Sequence, residues 1–285
     1  MTPLFTIDSG AAVCALAERL ESVMNAGRLR LPVLPEVALR VREAAQRPDS
    51  DAWQLAQLVS TDAALAARVV RIANSANFAG LSEIRDLSRA IARLGPSMIV
   101  AIAMGAAGKD TFRSRDPEYH ELLVLSWHRS LLGATIARIA AHAAAVDRDE
   151  AFLTGLMHAL GEPILVDCML DLESAGTPRP PRALLGATLR LLAPRAAGLL
   201  LRQWHVPEAT RAAVLFQADP SLAPETERSA AALVGFASTA ARLRLDGAEA
   251  AAALDAWPPT FHDRDGLAEA LDEAFTDYET LASIL

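Results

Sequence analysis

His158 could offer an imidazole to a metal, and it is followed by Ala159. The pair sits in Thr154-Gly-Leu-Met-His-Ala-Leu-Gly161. A hydrolytic metal site lowers the pKa of bound water and offsets charge on a phosphate. That takes imidazoles and carboxylates around one divalent ion. Ala159 supplies no carboxylate, and a single imidazole does not make a site of three or more ligands. His120, His142, His205 and His262 show no metal-ligand spacing. No nucleophile elbow is present, and no glycine-rich phosphate loop of either common kind. The arginines at 190, 195, 202 and 211 could line one side of consecutive helices. Solvated faces ordinarily look like this. Asp263-Arg-Asp265 reads as a solvated helix start.

The elements that position these residues are predicted to be helical. The chain has 285 residues, 52% hydrophobic but only 5% aromatic. Ala and Leu carry the apolar content, and both favour helix over strand. A net charge of −8 argues against a general nucleic-acid binder, which needs a basic stripe to replace counterions. Cys14 and Cys168 form no bridge pattern, consistent with a reducing cytoplasm. Residues 1–25 lack the features of a signal peptide. The longest strongly apolar run, about Met98 to Gly108, is too short to cross a bilayer.

Apolar residues spaced by three and four predict a first helix over Ser9 to Asn25, stopped at Gly27. Pro35 suits the first turn of a helix over Glu36 to Gln46. Asp51 with Gln54 starts a short helix, and Asp62 caps the next. Asn74 and Ser75 end that helix, a structural role. Helices are expected at about 87–94, 96–107, 118–145, 149–160, 163–172, 183–192, 195–204, 208–217, 226–244, 247–255 and 265–283. Lys109 to Pro117 is the best lobe boundary. Trp53, Trp127 and Trp204, with apolar neighbours, are expected in the core. No segment alternates long enough to be a strand.

Several motifs, in order, resemble the HDOD family, the HD-related output domain of bacterial signalling proteins. Leu31-Pro-Val-Leu-Pro-Glu-Val-Ala looks like the family opening. Ser60-Thr-Asp-Ala-Ala-Leu resembles its S-x-D-P-x-L, with Ala63 where Pro is usual. Arg71-Ile-Ala-Asn-Ser-Ala-Asn-Phe and the Ala-Ile-x-x-Leu-Gly ending at Gly95 are similar to the next two motifs. Trp127-His-Arg-Ser-Leu stands where W-x-H-S-L is common. Ala151 to Gly161 stands where A-F-x-A-G-L-L-H-D-I-G is common, and Gln203-Trp-His-Val-Pro-Glu resembles x-W-x-L-P-E. The resemblance covers about residues 20–217, with Pro35, Asp62, Asn74, Ser75, Gly95, Trp127, Gly161 and Trp204 as motif residues.

This resemblance implies an all-α, HD-like multi-helix bundle with an N-terminal helical lobe. The expected organisation is an N-terminal helix (1–30), an N-terminal lobe (31–108), an HD-like lobe (116–217) and C-terminal helices (225–285) on the same domain. It also locates the departures. The first family histidine falls at Arg129, with His128 one residue earlier and turned by about 100° on a helix. The paired Asp is Ala159. Pro194-Arg-Ala-Ala-Gly replaces H-A-E-V-G, and Gln217 or a neighbour replaces a fourth histidine. His158 survives, by default as a hydrogen-bonded core residue.

The function expected is therefore non-catalytic output in signal transduction, in the cytoplasm, with no metal and no cofactor. The expected partner is a signalling protein or a small anionic ligand, not a membrane and not nucleic acid. The expected site is a groove between the two lobes near Arg129, His158 and His128. The alternative is an HD-type metal-dependent phosphohydrolase with rebuilt ligands: His128, His158 and Asp167 or Asp171.

Overall fold

A computed structural model describes residues 9–75, 78, 83–262 and 267–285. Every regular element among them is helical. In order these are α1 (Ser9–Asn25), α2 (Glu36–Ala45), α3 (Ala52–Val59), α4 (Ala63–Ala73), α5 (Leu87–Leu94), α6 (Pro96–Lys109) and α7 (Pro117–Ala140). They are followed by α8 (Arg148–Met157), α9 (Gly161–Ser174), α10 (Arg182–Gln203), α11 (Glu208–Leu215), α12 (Arg228–Leu245), α13 (Ala250–Ala253) and α14 (Leu267–Ile284). The aspartate caps form as the sequence predicts. Asp51 accepts from the Gln54 amide at 2.7 Å, and Asp62 from Ala64 and Leu65 at 2.9 and 3.0 Å. Each satisfies amides that a helix start leaves without partners.

α7 is the centre of the bundle. Along 24 residues it packs against α8, α12 and α14, while α9 lies on α10 and α1 covers α10. The N-terminal lobe, α2 to α6, meets this bundle where α6 packs on α8. Two family motifs lock together at the lobe junction. The Trp204 indole donates to the Pro32 carbonyl at 2.9 Å, and buried Arg42 donates to the Trp204 carbonyl. Asn74 closes the turn after α4 by donating to the Ile84 carbonyl (2.7 Å) and accepting from the Ile84 amide (2.8 Å).

Three expectations are corrected. The helices expected at 183–192 and 195–204 are one helix, α10, running through Pro194. Pro194 has no N–H for the carbonyl one turn back, but α1, α9 and α11 pack along the helix and hold it together. Trp127 and Trp204 are buried, whereas Trp53 is 64% exposed. α3 buries Leu55, Ala56 and Val59, and at 100° per residue Trp53 points off that face. The helix expected to reach Leu160 ends at Met157, and His158 to Leu160 form a break before α9. Asp263-Arg-Asp265 lies outside the described residues.

By length and composition alone, Arg148–Ser174 and Arg182–Gln203 would suit a bilayer, which the reading of Met98 to Gly108 as the longest apolar run missed. The first is broken at His158, and most of both windows is buried inside the bundle.

Candidate functional site

The break between α8 and α9 is held tightly. A Cβ on Gly155 would lie 2.7 Å from the Ala134 Cα, and one on Gly161 would run into the Ala193 carbonyl. Both are far inside contact distance, so α7 and α10 press directly against the two sides of the elbow. At its apex His158 is 3% exposed. Its Nδ1 lies 2.6 Å from the Gly155 carbonyl. A carbonyl can only accept, so Nδ1 carries the proton and Nε2 keeps a free lone pair. Burial, reinforced by the nearby Arg129 charge, lowers the His158 pKa to about 4. The ring is therefore neutral at physiological pH. Nε2 has no hydrogen-bond partner among the described residues, a deficit of about 1–3 kcal/mol for a buried polar atom.

Arg129 is engaged with Glu162. The guanidinium donates to one carboxylate oxygen and Ser126 Oγ to the other. The side chains of Arg129 and Glu162 are only 16% and 6% exposed. Glu162 was not identified from the sequence. The available signal was its place four residues after His158, one helical turn away. Gln217 ties the end of α11 to the elbow, its Nε2 donating to the carbonyls of His158 (3.2 Å) and Val214 (3.0 Å).

These residues line an open groove of about 710 Å³, within the roughly 300–1,000 Å³ of small-molecule sites. Arg129 and Leu125 come from α7, Glu162 from α9, and Arg190 and Pro194 from α10. Gly235, Ser238, Thr239, Arg242 and Asp246 come from α12 and its C-terminal end. Their spacing of three and four puts them on one helix face. Arg242 lies 3.8 Å from Asp246. Arg190 has no ion-pair partner among the described residues.

The groove differs in place from the expectation. Arg129 and His158 do line one cavity, but its opposite wall is α12, not the N-terminal lobe. The junction of the lobes holds a separate cavity of about 190 Å³, beside Arg42, Met104 and Met157. His128 is not in the groove. One residue from Arg129 and turned away from it, His128 shares a 2.8 Å hydrogen bond with the Tyr278 hydroxyl of α14. Burial and nearby Lys109 lower its pKa. The rebuilt ligand set is not brought together either. Asp171 pairs with Arg30, and Asp167 is solvent-exposed on α9.

The residues present do not fit a divalent metal. His158 Nε2 is one free lone pair, Ala159 offers nothing, and both oxygens of Glu162 are engaged. Three guanidiniums border the groove, and the positive charge of Arg129 already sits beside the imidazole. Among the described residues no three His, Cys, Asp or Glu side chains converge as a metal site would need.

Comparisons with known proteins agree with the fold. A candidate metal-dependent phosphohydrolase from Shewanella amazonensis SB2B is similar with a TM-score of 0.72 at 21% identity, covering 94% of this chain and 99% of that one. An HDOD domain protein of unknown function from Geobacter sulfurreducens gives 0.65 at 21%, covering 97% and 98%. A candidate signal transduction protein from Marinobacter aquaeolei VT8 gives 0.64 at 21%, covering 97% and 68%. At these identities the likeness is one of fold. An uncharacterized protein from Treponema pallidum (strain Nichols) is 23% identical over 239 residues, which is 82% of this chain and 44% of the relative. The chain thus spans less than half of that relative's length. The HDOD domain matches residues 31–220, two thirds of the sequence, and the chain belongs to the HDOD family.

Proposed function

We propose that this protein is a non-catalytic output component of bacterial signal transduction that works by binding at the α7–α12 groove. The observation that carries this reading is the buried Arg129–Glu162 pair beside His158. A guanidinium and its carboxylate partner sit where metal chemistry would need free donors. Family membership supports a regulatory role, and two cysteines without a disulfide support a cytoplasmic setting. No metal or cofactor takes part in this reading, nor a membrane or nucleic acid.

The test is metal analysis of protein purified without chelator, together with phosphate release from phosphomonoesters in added Mn²⁺ or Mg²⁺. The expected result is no stoichiometric metal and no turnover above a blank without protein. A stoichiometric metal with turnover abolished in His158→Asn would sink the non-catalytic reading.

A further inference from the structure

We infer that the α7–α12 groove takes a small organic phosphate that carries its own hydrogen-bond donor, its anion held by Arg190 and Arg242 and its donor directed to Nε2 of His158. This rests on reading the groove as a binding site and adds the chemical class of what it binds.

The charge argument comes from the lining. The protein as a whole is acidic, at −8, yet this groove gathers Arg129, Arg190 and Arg242 against only Glu162 and Asp246. Arg129 is already neutralised by Glu162 in a buried pair. Arg242 is held loosely, 3.8 Å from an exposed Asp246. Arg190 has no ion-pair partner among the described residues. Two guanidiniums on different helices are thus available to an anion. Phosphate, with three oxygens, can be shared by two such forks.

The second requirement comes from the imidazole. The Nδ1–H of His158 is spent on the Gly155 carbonyl, so Nε2 can only accept. It is buried without a partner among the described residues, and His158 is one of the residues that line the groove. An anion alone gives it nothing, because phosphate dianion and Nε2 are both acceptors. A hydroxyl or amine on the same molecule would satisfy it. Ser238, Thr239 and Gln217 add neutral polar lining, which suits a polyhydroxylated body better than an apolar one.

Two probes separate the parts of this inference: ribose 5-phosphate, which carries both features, and methyl phosphate, which carries only the anion. Binding is read by calorimetry and by imidazole ¹⁵N shifts of the full chain. Ribose 5-phosphate should bind about tenfold more tightly, a difference of ~1.4 kcal/mol, and should move the His158 Nε2 resonance. Arg190→Ala, at an exposed position, should weaken both probes at least tenfold without loss of fold. His158→Gln should bring the two probes to equal affinity. Equal affinity in the wild type would overturn the role of the imidazole. No binding of either probe at about 1 mM would overturn the site, and would do so even if the protein proved metal-free and inert towards phosphomonoesters. Turnover with a bound metal would instead overturn the proposed function.

Discussion

Arg129 on α7 and Glu162 on α9 form a buried ion pair, completed by the Ser126 hydroxyl. The pair joins two helices that flank His158. Taking two charges out of water is costly, so the pair need not stabilise the fold relative to apolar residues of similar size. Losing one partner is different, because it strands the other charge. Arg129→Ala and Glu162→Gln should each lower stability by about 3–5 kcal/mol, read from urea midpoints. Arg129→Met with Glu162→Met should recover much of that loss. Strictly additive single-mutant costs would refute the coupling.

Ala159→Asp restores the carboxylate that an HD corner would have, but Arg129 remains beside His158. This variant should bind no stoichiometric metal by elemental analysis. Position 159 is buried, so an unpaired carboxylate placed there should also destabilise the fold. Tight stoichiometric metal in the single mutant would show that Arg129 does not govern the site.

The neutral imidazole of His158 makes stability depend on pH. Its folded pKa is about 4 against an ordinary value of 6.5. As pH falls below 6.5 the unfolded chain takes up the proton and the folded chain does not. This contribution is therefore fully present above pH 6.5 and is lost between 6.5 and 4, amounting to ~3 kcal/mol. Denaturation midpoints of wild type and His158→Asn, followed from about pH 7.5 to about 4.5 across that window, should converge as pH falls. Parallel curves would mean the ring is charged or exposed in the folded protein.

Asn74 makes two hydrogen bonds to the backbone of Ile84, ten residues away. Asn74→Ala leaves both backbone groups without that partner and should cost about 1–3 kcal/mol. Asn74→Asp keeps only the acceptor half and should fall between. Thermal melts with no loss in the Ala variant would leave the loop closed by other means.

Features decided within a few residues were legible in the sequence. Asp51 and Asp62 cap because the side chain and the amides it serves lie within one turn. The motifs from Leu31 to Trp204 located the bundle for the same reason: each is a short stretch whose contacts recur together. The remainder depended on distant parts of the chain. α10 persists through Pro194 because three helices cover it, which no local pattern records. Trp53 is exposed because α3 is short and buries another face. Glu162 escaped notice because its meaning depends on Arg129, thirty-three residues earlier. The α12 face was invisible because nothing local ties Ser238 or Arg242 to His158.

The matched family segment ends at residue 220, yet α12 begins at Arg228 and forms a wall of the groove. The elbow therefore lies inside the matched segment, and the helix that faces it lies beyond. Because α12 also packs on α7 through buried Leu233, Phe236 and Ala237, only its groove-lining positions, such as Ser238 and Arg242, could change without disturbing the bundle's centre.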